Sequence, residues 1–166
     1  MNSAHDVPGR KILLRTEVNG KACERWILPE TLLLDFLREE LGLKGAKRSC
    51  DMEVCGACTV LVDGMAVSSC TMLAAEVDGR SVETIEGLSD GRSLHPLQQA
   101  FVEKQAFQCG FCTSGLIMAS LAMLRESPDP DEAAVRAYLK GNICRCTGYR
   151  RIIEAVQRAG REMRGG

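Results

Sequence analysis

Four cysteines are spaced for metal chemistry. They run Cys50-Asp-Met-Glu-Val-Cys55-Gly-Ala-Cys58, followed by a gap of eleven residues and Cys70. The pattern C-x4-C-x2-C…C closes four thiolates on one 2Fe–2S cluster. Each iron needs two soft thiolates in a roughly tetrahedral shell. Three can come from one loop wrapped over the cluster, and the fourth must arrive from the other side. Gly45 and Gly56 let backbone lie close to an anion or take positive φ, and Ala57 is small. Backbone N–H groups of such a loop are expected to point at the sulfides and offset the cluster's negative charge. Lys44, Lys47 and Arg48 add positive charge just upstream, or simply form a solvated face. Zinc is the competing metal. Its thiolate sites favour paired C-x2-C units, and the four-residue gap between Cys50 and Cys55 is unusual for them.

A second four follow. Cys109-x2-Cys112 and Cys144-x-Cys146 are separated by 31 residues, and each pair falls at a predicted helix junction. Two packed helical hairpins can bring both pairs to one point. Taken alone this spacing fits zinc or iron–sulfur equally. Beside the first loop, a second metal centre reads as the next station of a one-electron relay. No set of residues suited to acid–base or nucleophilic catalysis appears.

The chain has 166 residues, nine of them cysteine, with 45% hydrophobic and 26% charged residues and a net charge of −1. These values are ordinary for a globular protein with a real core. Near-neutral charge without a basic aromatic patch argues against nucleic-acid binding. The start, Met-Asn-Ser-Ala-His-Asp-Val-Pro-Gly-Arg, lacks the apolar core of a signal peptide, so a cytoplasmic location is expected, where clustered thiols are metal ligands rather than disulfides. Residues 105–124 carry no charged side chain, about the length of a membrane span. Gln105, Gln108, Thr113, Ser114, two cysteines and two glycines interrupt them, which suits a buried helix behind a metal loop and not a membrane span.

The elements that must position these ligands follow in order. Residues 11–18 and 22–28 read as strands joined by the hairpin signal Asn19-Gly20. Cys23, in the second, reads as a small packed apolar residue. A helix from Pro29-Glu-Thr31 to about Leu41 carries Leu33, Phe36, Leu37 and Leu41 at helical spacing. Thr59–Val62 and Ala66–Ser69 form a hairpin about Asp63-Gly64 that delivers Cys70 to its partners, and Val82–Ile85 is a last strand. The polar stretch Glu86 to Ser93 marks the domain boundary, giving domains 1–88 and 89–166. Beyond it, helices are predicted over 95–106, 115–125, 130–140 and 150–163. Thr113 or Ser114 is the expected cap of the second, and Asp129 with Glu132 the capping box of the third. His95 reads as a polar helix-start residue, His5 lies in the N-terminal tail, and Arg158, Arg161 and Arg164 are helix-end charge.

Cys50…Cys70, then Gln-Cys-Gly-Phe-Cys-Thr, then Gly-Asn-Ile-Cys-Arg-Cys-Thr-Gly-Tyr, is a joint pattern of high specificity. From about Lys11 to Ala159 it resembles the small iron–sulfur subunit of molybdenum hydroxylases, the xanthine dehydrogenase and aerobic carbon monoxide dehydrogenase family. The resemblance implies an α+β chain: an N-terminal β-grasp ferredoxin-like domain, then an all-α four-helix-bundle domain. It implies that Cys50, Cys55, Cys58 and Cys70 bind a 2Fe–2S cluster facing FAD. Cys109, Cys112, Cys144 and Cys146 would bind another facing the molybdenum cofactor, molybdopterin cytosine dinucleotide. Gln108 matches a glutamine that hydrogen-bonds the pterin, although a helix-end amide bonding backbone is the alternative account of it. The implied partners are a large molybdopterin-binding subunit and a medium FAD-binding subunit, in a dimer of heterotrimers. Two positions depart from the usual pattern: Ser114 stands where proline is most frequent, and Glu53 where many members have glycine, which would strain Glu53 if the loop needs positive φ. A free-standing ferredoxin would show an acidic docking face, a zinc module no redox activity, and a permanently assembled subunit a large apolar patch near Cys109 or Cys146.

Overall fold

The computed structural model describes residues 10–165. His5 lies outside the described residues. A mixed five-stranded sheet with one short helix comes first, and four further helices among the described residues follow it and pack on one another and on the sheet. The α+β expectation holds.

Strands β1 (Ile12–Val18) and β2 (Lys21–Ile27) pair antiparallel, Ile12 opposite Ile27. Their turn has Asn19 at φ 52° and Gly20 at φ 74°, the two positive values of the turn type that suits strand twist. β1 alternates, burying Leu14, Thr16 and Val18. β2 is an edge strand that buries only Ile27 and keeps Lys21, Glu24 and Arg25 outward, charges that discourage pairing with another chain. Cys23 is half-buried and packs against the sheet-side core. β3 (Thr59–Val62), β4 (Met65–Ser68) and β5 (Ser81–Glu83) complete the order β2-β1-β5-β3-β4, with β1 and β5 parallel. The last strand begins one residue earlier than predicted and ends before Ile85, which enters a short 3₁₀ turn.

The first helix, α1, starts at Leu33, later than Thr31. It spans Leu33–Asp35 and widens to a π-helical turn over Phe36–Glu40. The shift has a cause. Thr31 gives its carbonyl to the N–H of Ala74, while the N–H groups of Leu33 and Leu34 donate to Met72 and Ser69. The unpaired end of the helix is thus taken up by the turn that carries Cys70.

β3 is buried along its whole length and faces two cores by strand alternation. Val60 and Val62 join Leu14, Phe36 and Leu37 on one side. Leu61 joins the helical core on the other, with Leu97, Phe101, Leu116, Ile152 and Val156.

Helix α2 (Pro96–Glu103) is capped by His95, whose Nδ1 accepts from the Leu97 N–H at 3.2 Å, while Gln98 accepts from the His95 N–H. Burial, with Arg125 nearby, holds His95 below the usual imidazole range, which keeps Nδ1 an acceptor. Helix α3 (Thr113–Glu126) is buried from Ser114 to Leu124. No helix among the described residues is long and apolar enough to cross a membrane. Neither Thr113 nor Ser114 caps α3; the cap position is Cys112, without a side-chain bond. In helix α4 (Glu132–Tyr138) the cap is Asp131, accepting from the Ala134 N–H, and not Asp129, which pairs with Arg164. Helix α5 (Arg150–Gly165) buries the predicted stripe Ile152, Ile153, Val156 and Ala159.

Candidate metal centres

The first four thiols sit where strand ends meet. The loop from Cys50 to Cys58 leaves α1 and enters β3, and Cys70 ends the turn after β4. Asp51 and Glu53 take φ of 52° and 59°, and Gly56 takes 66°. This winding brings the N–H groups of Met52, Val54 and Cys55 onto the sulfur of Cys50, which holds that thiol down to about 6. Burial pushes the Cys58 thiol up to about 11, with the sulfurs of Cys70 and Cys55 adding to the rise. A bare thiolate is disfavoured there, and a bound cation would stabilise it. Ser69, next to Cys70, ties the two buried cysteines together, its hydroxyl donating to the Cys58 carbonyl at 2.7 Å.

The lysine and arginine upstream are more than a solvated face. Lys47 donates to the carbonyls of Lys44 and Gly45 at 2.9 and 2.7 Å, and Arg48 pairs with Asp51 at 2.8 Å and with Asp35. Gly45 has ordinary φ. A Cβ there would stand 2.1 Å from the Ile85 side chain, so close approach is what requires glycine.

The second four lie at the ends of the bundle. Cys112 opens α3, and Cys144 and Cys146 occupy the loop before α5. Cys146 and Cys109 have sulfurs 3.8 Å apart. The neighbouring Cys109 sulfur makes ionisation of Cys146 harder, so the Cys146 thiol is shifted up. Burial, then the Cys144 sulfur, pushes Cys112 up to about 12. Burial also opposes ionisation of Cys144, but the Thr147 hydroxyl at 3.1 Å and the N–H groups of Cys146 and Thr147 leave it below its ordinary value. Tyr149, at φ 66°, props this loop: its hydroxyl donates to the Asn142 carbonyl at 2.9 Å and accepts from the Cys144 N–H at 2.7 Å.

Among the described residues no three His, Cys, Asp or Glu side chains gather about one single-ion point. The sulfurs meet in twos: Cys50 with Cys55, Cys58 with Cys70, Cys109 with Cys146, Cys112 with Cys144. Two thiolates per iron is the demand of a 2Fe–2S cluster, and the donor set, all sulfur with backbone N–H support, fits that group.

The two loops touch. The N–H of Ile143 donates to the carbonyl of Cys55 at 2.9 Å. Cys55, Cys109, Cys112, Cys144 and Cys146 line a common cavity of about 200 Å³. Gln108 is exposed, donates to the Cys146 carbonyl at 3.0 Å, and lines a hollow of about 780 Å³ with Gln105, Phe107, Thr147, Arg150 and Arg151.

A 2Fe-2S iron-sulfur cluster binding domain family matches residues 16–88, and a 2Fe-2S binding domain family matches residues 84–157. The chain is 48% identical over 149 residues to the nicotine 6-hydroxylase small subunit of Paenarthrobacter nicotinovorans, covering 90% of each chain. It is 43% identical over 166 residues to a probable xanthine dehydrogenase subunit of Bacillus subtilis (strain 168), covering 100% of this chain and 95% of that one. The chain belongs to the small 2Fe–2S subunits of the molybdenum hydroxylase family. Quinoline 2-oxidoreductase from Pseudomonas putida 86 contains a chain with the same fold, with a TM-score of 0.91 at 42% identity over 95% of this chain and 98% of that one. Aldehyde oxidoreductase from Desulfovibrio desulfuricans ATCC 27774 superposes with a TM-score of 0.89 at 41% identity, over 92% of this chain and 17% of the longer one. Such a subunit is part of an oxidoreductase complex and carries two 2Fe–2S binding domains.

Several residues around the centres escaped the sequence reading: Ser69, Thr147, Tyr149 and above all Asn142. Cysteine spacing marks ligands and not the groups that hold ligand loops. Asn142, Thr147 and Tyr149 stand in the stretch Gly-Asn-Ile-Cys-Arg-Cys-Thr-Gly-Tyr that carries the resemblance, but its pattern does not reveal what their side chains bond.

Proposed function

We propose that this chain carries electrons one at a time from a molybdopterin site on a large partner subunit to FAD on a medium one. Cys50, Cys55, Cys58 and Cys70 hold the cluster on the FAD side, and Cys109, Cys112, Cys144 and Cys146 hold the cluster on the molybdopterin side. The division between the two domains falls near residue 88. Gln108, on the wall of the hollow beside Cys146, contacts the pterin. The clusters, when bound, supply reversible one-electron redox chemistry. This chain's residues set the conditions. Backbone N–H groups at Cys50 and the Thr147 hydroxyl at Cys144 stabilise charge on sulfur, and burial of Cys58 and Cys70 keeps water away.

The observation that carries this reading is the Ile143–Cys55 hydrogen bond, because it brings the two ligand loops into direct contact. Exposed Phe107, Phe111 and Ile143 surround the second quartet. That apolar rim supports permanent assembly with a partner rather than collisional exchange, as do the relatives' names as subunits.

The test is EPR of the anaerobically purified chain before and after dithionite, with iron and zinc counted on the same sample. Two distinct reduced signals and about four irons per chain are expected. One signal, with zinc filling the second quartet, would sink the relay.

A further inference from the structure

We infer that Asn142 is a positioning residue that sets the spacing between the two thiol sets; this rests on the assignment of the eight cysteines to two clusters. Asn142 is 7% exposed and lies two residues before Cys144. Its Nδ2 does not serve its own loop. It donates to the carbonyl of Gly56 at 3.0 Å and to the Thr59 hydroxyl at 3.2 Å. Gly56 lies between Cys55 and Cys58. Its carbonyl also accepts from the Thr59 hydroxyl at 2.8 Å and the Thr59 N–H at 3.2 Å. A buried amide is costly unless paired, and this one finds its partners only across the seam.

The contact leaves no slack. A Cβ at Gly56 would stand 2.4 Å from both Asn142 Nδ2 and the Gly141 carbonyl, and a Cβ at Gly115 would stand 2.1 Å from the Gly56 carbonyl. Cys55, Cys58, Cys112 and Cys144 thus all lie within three residues of groups packed on one carbonyl oxygen. Tyr149 holds the Asn142 carbonyl, so the amide is aimed from behind. The neighbouring Ile143–Cys55 bond is backbone to backbone, so no side-chain substitution deletes its donor or acceptor. The Asn142 bonds are the part of the bridge that a side chain controls, and they keep the backbone bond in register.

The consequence is measurable, because dipolar coupling between two reduced clusters falls with the cube of their distance. The experiment compares wild type, Asn142→Ala and Thr59→Val as full chains, reduced with dithionite. Iron content, the EPR splitting between the clusters and amide hydrogen exchange at Ile143 are read on each. Asn142→Ala is expected to keep wild-type iron and the individual signals while the splitting changes. Its Ile143 exchange rises about tenfold, as for loss of buried hydrogen bonds. Thr59→Val, which leaves the Gly56 acceptor in place, moves both readouts the same way by less. Unchanged splitting and exchange in an iron-replete Asn142→Ala chain overturn the inference. Should that variant not accumulate folded, unchanged values in Thr59→Val overturn it equally. A wild-type chain with one iron signal and zinc removes the cluster assignment itself, and is visible before any substitution is made.

Discussion

The hydroxyl of Ser114 donates to the carbonyl of Gly45 across 2.6 Å, tying the first turn of α3 to the loop that leads into Cys50. Glu86 completes the hold on Gly45 by accepting its N–H at 2.7 Å. Ser114 stands where the family most often has proline, which cannot make this bond. Ser114→Ala should therefore destabilise the chain by about 1 kcal/mol, the net contribution of one hydrogen bond, with iron content unchanged. Thermal unfolding followed by circular dichroism, beside an iron assay, checks both halves. Ser114→Pro should fold, because a first helical turn accepts proline, and should match the alanine variant rather than wild type.

Glu53 is strained in the first loop. It sits at φ 59°, and its side chain gains only a 3.4 Å bond from the Thr71 hydroxyl. Left-handed backbone costs a non-glycine residue roughly 1–2 kcal/mol. Replacing Glu53 by glycine relieves that strain but adds freedom to the unfolded chain, so a net gain of up to about 1 kcal/mol is expected. The expected readouts are a higher unfolding temperature and slower iron loss to a chelator. A lower unfolding temperature would show that Glu53 contributes more than its one visible contact.

Thr147 offers the cleanest handle on potential. Its hydroxyl donates to the Cys144 sulfur at 3.1 Å, and such bonds favour the more negative, reduced state of a cluster. Thr147→Val should lower the midpoint potential of one cluster by on the order of tens of millivolts, the one-electron equivalent of about 1 kcal/mol. The other cluster should not move. Potentiometric titration monitored by EPR separates the two signals, and equal shifts in both would refute the assignment.

Arg125 joins the bundle to the sheet through a two-pronged pair with Glu83, at 2.6 and 2.8 Å. The Arg125 guanidinium holds the Glu83 carboxyl below its ordinary 4.5. A lowered carboxyl contributes stability that is present above the unfolded value and disappears as pH falls through the folded one. With both side chains a third or more exposed, the contribution is under about 1 kcal/mol. The stability difference between wild type and Glu83→Gln should stay level above about pH 5 and shrink below it. Denaturant unfolding of both proteins at matched pH values measures this, and a difference that grows on acidification would contradict the sign.

Much was legible in the sequence. The two groups of four cysteines stood out by their clustering, although spacing pointed to one metal chemistry only in the first. The hairpin at Asn19-Gly20 and the stripe of α5 followed from local conformational preference and periodicity. Boundaries fared worse where distant partners intervened. The start of α1 moved because its first N–H groups bond the Cys70 turn, and the expected cap at Ser114 was drawn away to Gly45. In both places a polar group had a local and a remote partner, and tertiary packing chose the remote one.

The sequence by itself determined that this chain carries two groups of four clustered cysteines on an α+β scaffold, since residue identity and spacing are properties of the chain. Only the tertiary structure decided that the sets meet, that Cys55 is bonded to Ile143, and that one buried amide of Asn142 spans the gap. Those relationships join residues more than eighty positions apart. No local propensity encodes them; they arise because buried polar groups must find partners once both cores have closed.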